Sequence, residues 1–133
     1  RKKRLPHVIL RFSNVYGKGG QGVISKWKEN AIAHLAGELY HTRDYVHVAD
    51  VCRAIEKSIK SEAGNETFNV STGIETDLAQ LGRIMDIGGL EMAKHNQKRE
   101  IKFSSLDNDK AQKMMGWKPS IDLKTGIEQY ELL

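Results

Sequence analysis

A short apolar run, Pro-His-Val-Ile-Leu-Arg-Phe at 6–12, leads within a few residues into a glycine-rich loop from Gly17 to Gly22. A β-branched run of this length, bounded by glycine punctuation, reads as a buried strand. A helical period follows over 23–35, with Ile24, Trp27, Ala31 and Leu35 on one face and Gly37 as its stop. Residues 44–48 then alternate, Tyr45 and His47 on one side and Val46 and Val48 on the other, as a strand does. Asp50 stands where an N-cap would open a helix over 51–60, with Val51, Ala54, Ile55 and Ile59 inward. The turn Ala63-Gly64-Asn65 precedes a strand at 67–70. Thr76 or Asp77 caps a helix carrying Leu78, Leu81, Ile84 and Met85 inward, ending near Gly88-Gly89. Residues 92–99 have no clear period and read as a loop or lid, and 101–103 as a short strand. Asp107 caps a helix through Met115, closed by Gly116, and Pro119 forbids its continuation. A last helix begins near Asp122, with Ile127 and Tyr130 available for packing. Alternating strands and helices predict an α/β arrangement with parallel pairing.

The 133 residues suit one small domain or a fragment of a larger one. The first residue is not Met, so a processed or truncated product is expected. No apolar run approaches the roughly 20 residues that span a bilayer, and no signal-peptide pattern is present. The single cysteine, Cys52, cannot form an internal disulfide and fits a reducing cytoplasm; it reads as a packing residue. Net charge is +4, and four of the 21 basic residues form a tail at Arg1–Arg4. We divide the chain into that basic tail, 1–5, and one unit, 6–133. Nucleic-acid binding is not expected, because no aromatic-plus-basic stripe accompanies the tail.

Two groups of residues could carry chemistry. Gly17, Gly19 and Gly22 satisfy the G-x-G-x-x-G pattern of a dinucleotide-binding turn, with Glu38 at the distance of a ribose-binding acid. Four residues separate the strand from the first glycine, however, and helix-like sequence fills the gap before Glu38, so cofactor binding by this loop is not expected. The second group is Arg11, Asn14, Tyr16 and Arg43, with Arg99 as a fifth member. Asn14 follows a strand at the end where ligands of parallel sheets bind, and arginine offers a planar fork suited to phosphate. The plainer alternative is that Arg43 pairs with Asp44 or Asp50, and that Arg11, a guanidinium needing a partner if buried, anchors the sheet edge.

Five phrases sharpen this: LRFSNVYG (10–17), RDYVHVADV (43–51), TFNVSTG (67–73), LDNDKAQKMMGWKP (106–119) and LKTGI (123–127). In that order they resemble the second half of the extended short-chain dehydrogenases, especially UDP-glucose 4-epimerases and related nucleotide-sugar epimerases and dehydratases. The resemblance implies the carboxy-terminal part of a Rossmann-type fold, an incomplete parallel sheet with a small substrate-binding helical region. It implies that Asn14 and Arg43 contact the diphosphate of a UDP- or dTDP-sugar. Arg99 would be the second phosphate-binding arginine, although its run Lys98-Arg99-Glu100 lacks the family's glycine. Arg11, Tyr16 and Tyr45 would stand near the pocket, with packing an equal role for Tyr45 and His47. Two departures bear on this. The stretch from Gly37 to Arg43 is shorter than in the family and lacks its Gly-Asp-Gly hairpin, and Ala49 replaces the first acid of the family's Val-Asp-Asp.

Such enzymes hold NAD on a Gly-x-x-Gly-x-x-Gly turn and use a Tyr-x-x-x-Lys pair as general base. Tyr16, Tyr40, Tyr45 and Tyr130 have Gly, Asp, Ala and no residue four positions on, so that pair is absent. No catalytic residue and no metal ligand is therefore assigned. The chain is expected to be inactive by itself, to bind NAD only within a complete enzyme, and to need an amino-terminal half in cis or in trans. A non-catalytic remnant that binds nucleotides or another chain is the alternative. Strand edges and an apolar face left uncovered would favour self-association. Phe12, Trp27, Met114 and Met115 are expected in the core.

Overall fold

A computed structural model describes residues 5–29, 34–36, 40–87, 91–93 and 101–130, with 34–36 and 91–93 as backbone only. The apolar run forms strand β1 (Val8–Phe12), and after Ser13 a second strand, β2 (Asn14–Tyr16), continues into the glycine loop. Helix α1 (Val23–Glu29) follows, then β3 (His34–Ala36), β4 (Thr42–Arg43) and β5 (Tyr45–His47). Helix α2 (Val48–Lys60) leads to β6 (Glu66–Val70), β7 (Thr76–Asp77), α3 (Leu78–Ile84), β8 (Glu91–Ala93), α4 (Asp109–Met115) and α5 (Leu123–Glu128).

The strands pair in twos: β1 with β6, β2 with β5 and β3 with β8, all parallel, and β4 with β7 antiparallel. The expected parallel α/β arrangement is thus present. In β5 the alternation separates two cores. Tyr45 joins Tyr16, Ile24, Trp27, Leu81, Ile127 and Tyr130, while Val46 joins Phe68, Val70, Ala111, Met115 and Trp117 under α2. Val8 and Leu10 of β1 pack against the second core, and Ile9 between them is exposed. One face of the β1–β6 pair is therefore covered and the other open. Leu5, Phe12 and Val15 are exposed in the same region of the chain.

Several expectations need correction. Helix α1 is described over Val23–Glu29, and His34–Ala36 is a strand paired with Glu91–Ala93, whose Met92 and Ala93 fall in the stretch read as loop. The backbone pairing overrides the helical period in its last turn. Residues 30–33, Gly37, Glu38, Gly88, Gly89 and Arg99 lie outside the described residues. Helix α2 begins at Val48, not 51: its N-cap is His47, whose Nδ1 accepts from the Ala49 N–H at 3.2 Å, and Asp50 is buried inside the first turn. In α2, Val51 and Ala54 are buried, but Ile55 and Ile59 are exposed. Residues 101–103 are not a strand, although the Lys102 carbonyl accepts from the Thr42 N–H at 2.8 Å. Asn108 occupies the cap position of α4, while the Asp107 carboxylate accepts from the Asp109 N–H at 2.8 Å. Phe12 and Met114 are exposed, whereas Trp27 and Met115 are core.

Other expectations stand. Asp77 caps α3 in a reciprocal capping box with Gln80. Asp122 caps α5 through the Thr125 N–H at 3.0 Å, and Gly116 ends α4 in the left-handed conformation.

Candidate functional site

Strands β1 and β6 run parallel, and their carboxyl ends, Phe12 and Val70, stand opposite each other in the register. The open α/β rule places ligands in the crevice beyond such ends. Three segments meet there. The Ser13 N–H donates to the Val70 carbonyl at 3.2 Å, and the Asn14 N–H donates to the Asp44 carbonyl at 2.8 Å. The buried Asp44 carboxylate accepts from the Ser13 hydroxyl at 3.2 Å, from the Thr72 hydroxyl at 2.7 Å and from the Thr72 N–H at 2.9 Å, all on Oδ1. Its Oδ2 accepts from the Gly73 N–H at 2.8 Å. Asp44 thus joins the loop after β1, the start of β5 and the loop after β6.

Arg43 precedes this junction in β4. Its Nη1 donates to the Thr42 carbonyl at 2.7 Å and to the Ile101 carbonyl at 2.8 Å. Strand β4 itself pairs with β7, and the Thr42 hydroxyl reaches Glu75 at 3.0 Å. The alternative in which Arg43 pairs with Asp44 or Asp50 does not describe this geometry. Both carboxylates are engaged elsewhere: that of Asp50 by the Ser120 and Ile121 N–H groups at 3.0 and 3.1 Å, the Ser120 hydroxyl, and Arg53.

The structure places the Asn14 backbone beside Asp44, the chain neighbour of Arg43: Asn14 is the ladder partner of Tyr45 and its N–H bonds the Asp44 carbonyl. Asn14 is exposed and Arg43 half-buried. Arg11 is exposed in β1 opposite Asn69, so its guanidinium is not the buried group the strand context suggested. Tyr16 and Tyr45 are core residues. Burial, reinforced by Asp122 and Asp50, pushes the Tyr16 phenol far above its usual range. Burial also pushes Tyr45 up to about 12, against the opposing pull of Arg43. Neither phenol ionises near neutral pH, so neither is a general base there. His47 packs edge-on against Tyr16 with ring centroids 5.1 Å apart, and burial lowers its pKa despite the Asp50 charge.

In the glycine loop, Gly17 packs against helix α2. A Cβ on Gly17 would stand 2.5 Å from the Val48 side chain, so this glycine is spent on helix packing. The Gly20 N–H donates to the Gly17 carbonyl at 3.0 Å, which closes the loop on itself. A pyrophosphate cradle needs such amides pointing outward. A cleft of about 450 Å³ lies at the other end of β1, lined by Pro6, His7, Ile59, Ser61, Glu62 and Gly64, away from this site.

The sequence reading missed Asp44, Thr72 and Gly73 as parts of the site. The available signal was an acid inside an apolar strand run, Arg-Asp-Tyr-Val-His-Val, which must be bonded if buried. Hydrogen bonds join four of the five phrases, 10–17, 43–51, 67–73 and 106–119. Asn108 and Ser71 bond at 2.7 Å, the Ser71 hydroxyl reaches the Leu106 carbonyl at 2.8 Å, and Trp117 Nε1 reaches the Asp50 carbonyl at 3.0 Å.

Parallel strand pairs alternating with helices define the class: an α/β protein. A family model described as GDP-mannose 4,6 dehydratase matches residues 21–130. A putative UDP-glucose 4-epimerase of Methanocaldococcus jannaschii is 38% identical over 138 residues, covering 94% of this chain and 44% of that protein. The crystal structure of a UDP-glucose 4-epimerase with UDP-glucose from Thermotoga maritima matches with a TM-score of 0.84 at 32% identity, covering 95% of this chain and 45% of that one. The structure of MoeE5 in complex with UDP-glucuronic acid and NAD matches with a TM-score of 0.78 at 23% identity, covering 91% and 44%. The chain belongs to the NAD-dependent epimerase/dehydratase family of extended short-chain dehydrogenases, and within it is similar to UDP-glucose 4-epimerases. It spans less than half the length of these relatives. Among the described residues, no helix is long and apolar enough to cross a membrane.

Proposed function

We propose that this chain is the nucleotide-sugar-gripping portion of an NAD-dependent epimerase or dehydratase of the UDP-glucose 4-epimerase kind. Asn14 and Arg43 hold the diphosphate of a UDP- or dTDP-sugar, with Arg99 as a third contact. What supports this reading is that the Asn14 N–H bonds the carbonyl of Asp44, the chain neighbour of Arg43, beyond the carboxyl ends of β1 and β6. An asparagine amide and a guanidinium both donate hydrogen bonds, and donors are what a diphosphate needs. The sequence lacks a Tyr-x-x-x-Lys pair, which supports reading the chain as inactive by itself. The glycine-motif half that would bind NAD is required in cis or in trans.

The test is an amide-resolved titration of the chain with UDP, UDP-glucose and dTDP-glucose, alongside an assay for interconversion of UDP-glucose and UDP-galactose with added NAD. Shifts centred on residues 13–14, 43–45 and 72–73, with no turnover, are expected. Turnover by the purified chain would overturn its inactivity. Shifts confined to other regions at millimolar ligand would overturn the site.

A further inference from the structure

Asp44 is almost fully buried, and its carboxylate takes four donors from two separate segments. Burying a carboxylate is costly unless such bonds replace water. None of these donors is a cation, so the group does not serve as the counter-ion of Arg43. What it does is hold loops. Ser13 is held by the side chain of Asp44 and Asn14 by its carbonyl, while Arg43 is its neighbour in the chain. The Thr72 and Gly73 amides converge on the carboxylate where Gly73 turns the backbone at φ +74°, a conformation that aims successive N–H groups at an anion. With Asp44 filling that concavity, an external phosphate is left to Asn14 and Arg43.

We propose that Asp44 is a positioning residue for the diphosphate: it fixes the separation and direction of Asn14 and Arg43, and it acts on ligand only through them. This rests on the assignment of those two residues to the diphosphate. A carboxylate is specifically needed here. An asparagine in either orientation would turn its N–H₂ toward the Thr72 or the Gly73 N–H, and one of those amides would lose its acceptor. The loop would then shift by its own relaxation, and small misplacements of binding groups weaken ligand strongly.

The experiment measures UDP affinity of the full chain by amide-resolved titration for the wild type, Arg43→Ala, Asp44→Asn, Thr72→Val and the pairs with Arg43→Ala. Asp44→Asn is expected to weaken UDP about tenfold, and its pair with Arg43→Ala to be weakened by clearly less than the product of the two single effects. A merely structural role would give full multiplicativity, and that result overturns the proposal. Thr72→Val removes a single hydroxyl donor and is read in the same cycle if Asp44→Asn does not fold. If Arg43→Ala weakens UDP while Asp44→Asn and Thr72→Val bind as the wild type does, only this inference falls. If the wild type does not bind UDP at Asn14 and Arg43, the assignment of the site falls and takes this inference with it.

Discussion

A Cβ on Gly126 would stand 2.1 Å from the buried hydroxyl of Tyr16 and 2.9 Å from its Cζ, so helix α5 packs flush on the end of β2 only because residue 126 has no side chain. The Tyr16 hydroxyl has no hydrogen-bond partner among the described residues. This contact joins the first and last of the five phrases and sets α5 against the core of Tyr16, Ile24 and Trp27.

Gly126→Ala is therefore expected to destabilise by about 1–3 kcal/mol through overpacking. Tyr16→Phe removes an unsatisfied buried hydroxyl and should be neutral or stabilising by up to about 1 kcal/mol. Urea denaturation of the singles and the double tests this. The double should recover part of the Gly126→Ala loss, and simple additivity would place the clash elsewhere.

His47 gives stability a pH dependence. Its Nδ1 accepts the Ala49 N–H, which requires the neutral ring, and burial lowers its pKa below the ordinary 6.5. A folded state that binds fewer protons than the unfolded state loses stability as pH falls. The contribution is complete above about pH 6.5 and declines as pH drops through that value toward the lower folded pKa. His47→Asn keeps a capping side chain without the titration, at a cost of about 1 kcal/mol or more for lost packing. Thermal melts from pH 8 to 5 should show a shallower slope for the variant than for the wild type.

Asp50 closes the loop that ends in Pro119. Its carboxylate accepts from Ser120 and Ile121, pairs with Arg53, and its carbonyl accepts the Trp117 indole N–H. Asp50→Ala would strand two backbone amides and should cost about 3 kcal/mol. Trp117→Phe, losing the indole bond and part of a fully buried ring, should cost about 2 kcal/mol. Chemical denaturation midpoints at constant m-value check both.

Arg43→Lys keeps the charge but loses the planar fork that bonds Thr42 and Ile101. UDP affinity is expected to fall by about tenfold, nearly as far as for Arg43→Ala. Recovery of wild-type affinity by lysine would mean that the site needs only a positive charge.

The exposed Ile9, Phe12 and Val15 on β1 and β2 predict that the isolated chain self-associates as concentration rises. Sedimentation velocity over a range of concentrations reads this directly, and a clean monomer at the highest would count against it. Ile9→Lys should shift the distribution toward monomer.

Much of the architecture was legible because it follows from periods and caps. The run 6–12 reads as a strand, Asp77 and Asp122 mark the starts of their helices, and the alternation over 44–48 reads as a strand. The errors fall where local pattern competes with long-range pairing. The helical period over 23–35 hid β3, because its parallel partner lies far along the chain at β8. Asp50 looked like a cap because it precedes an apolar period, while the true cap, His47, was read as one more strand residue.

By itself, then, the sequence determined the parallel α/β order and the family, since both are written in short spacings and residue types. Only the tertiary structure decided where the buried acids go. Whether Asp44 and Asp50 pair with Arg43 or hold loops depends on which N–H groups reach them from residues 72–73 and 120–121. Those donors are backbone groups common to nearly every residue, so no choice of side chain in the sequence marks them.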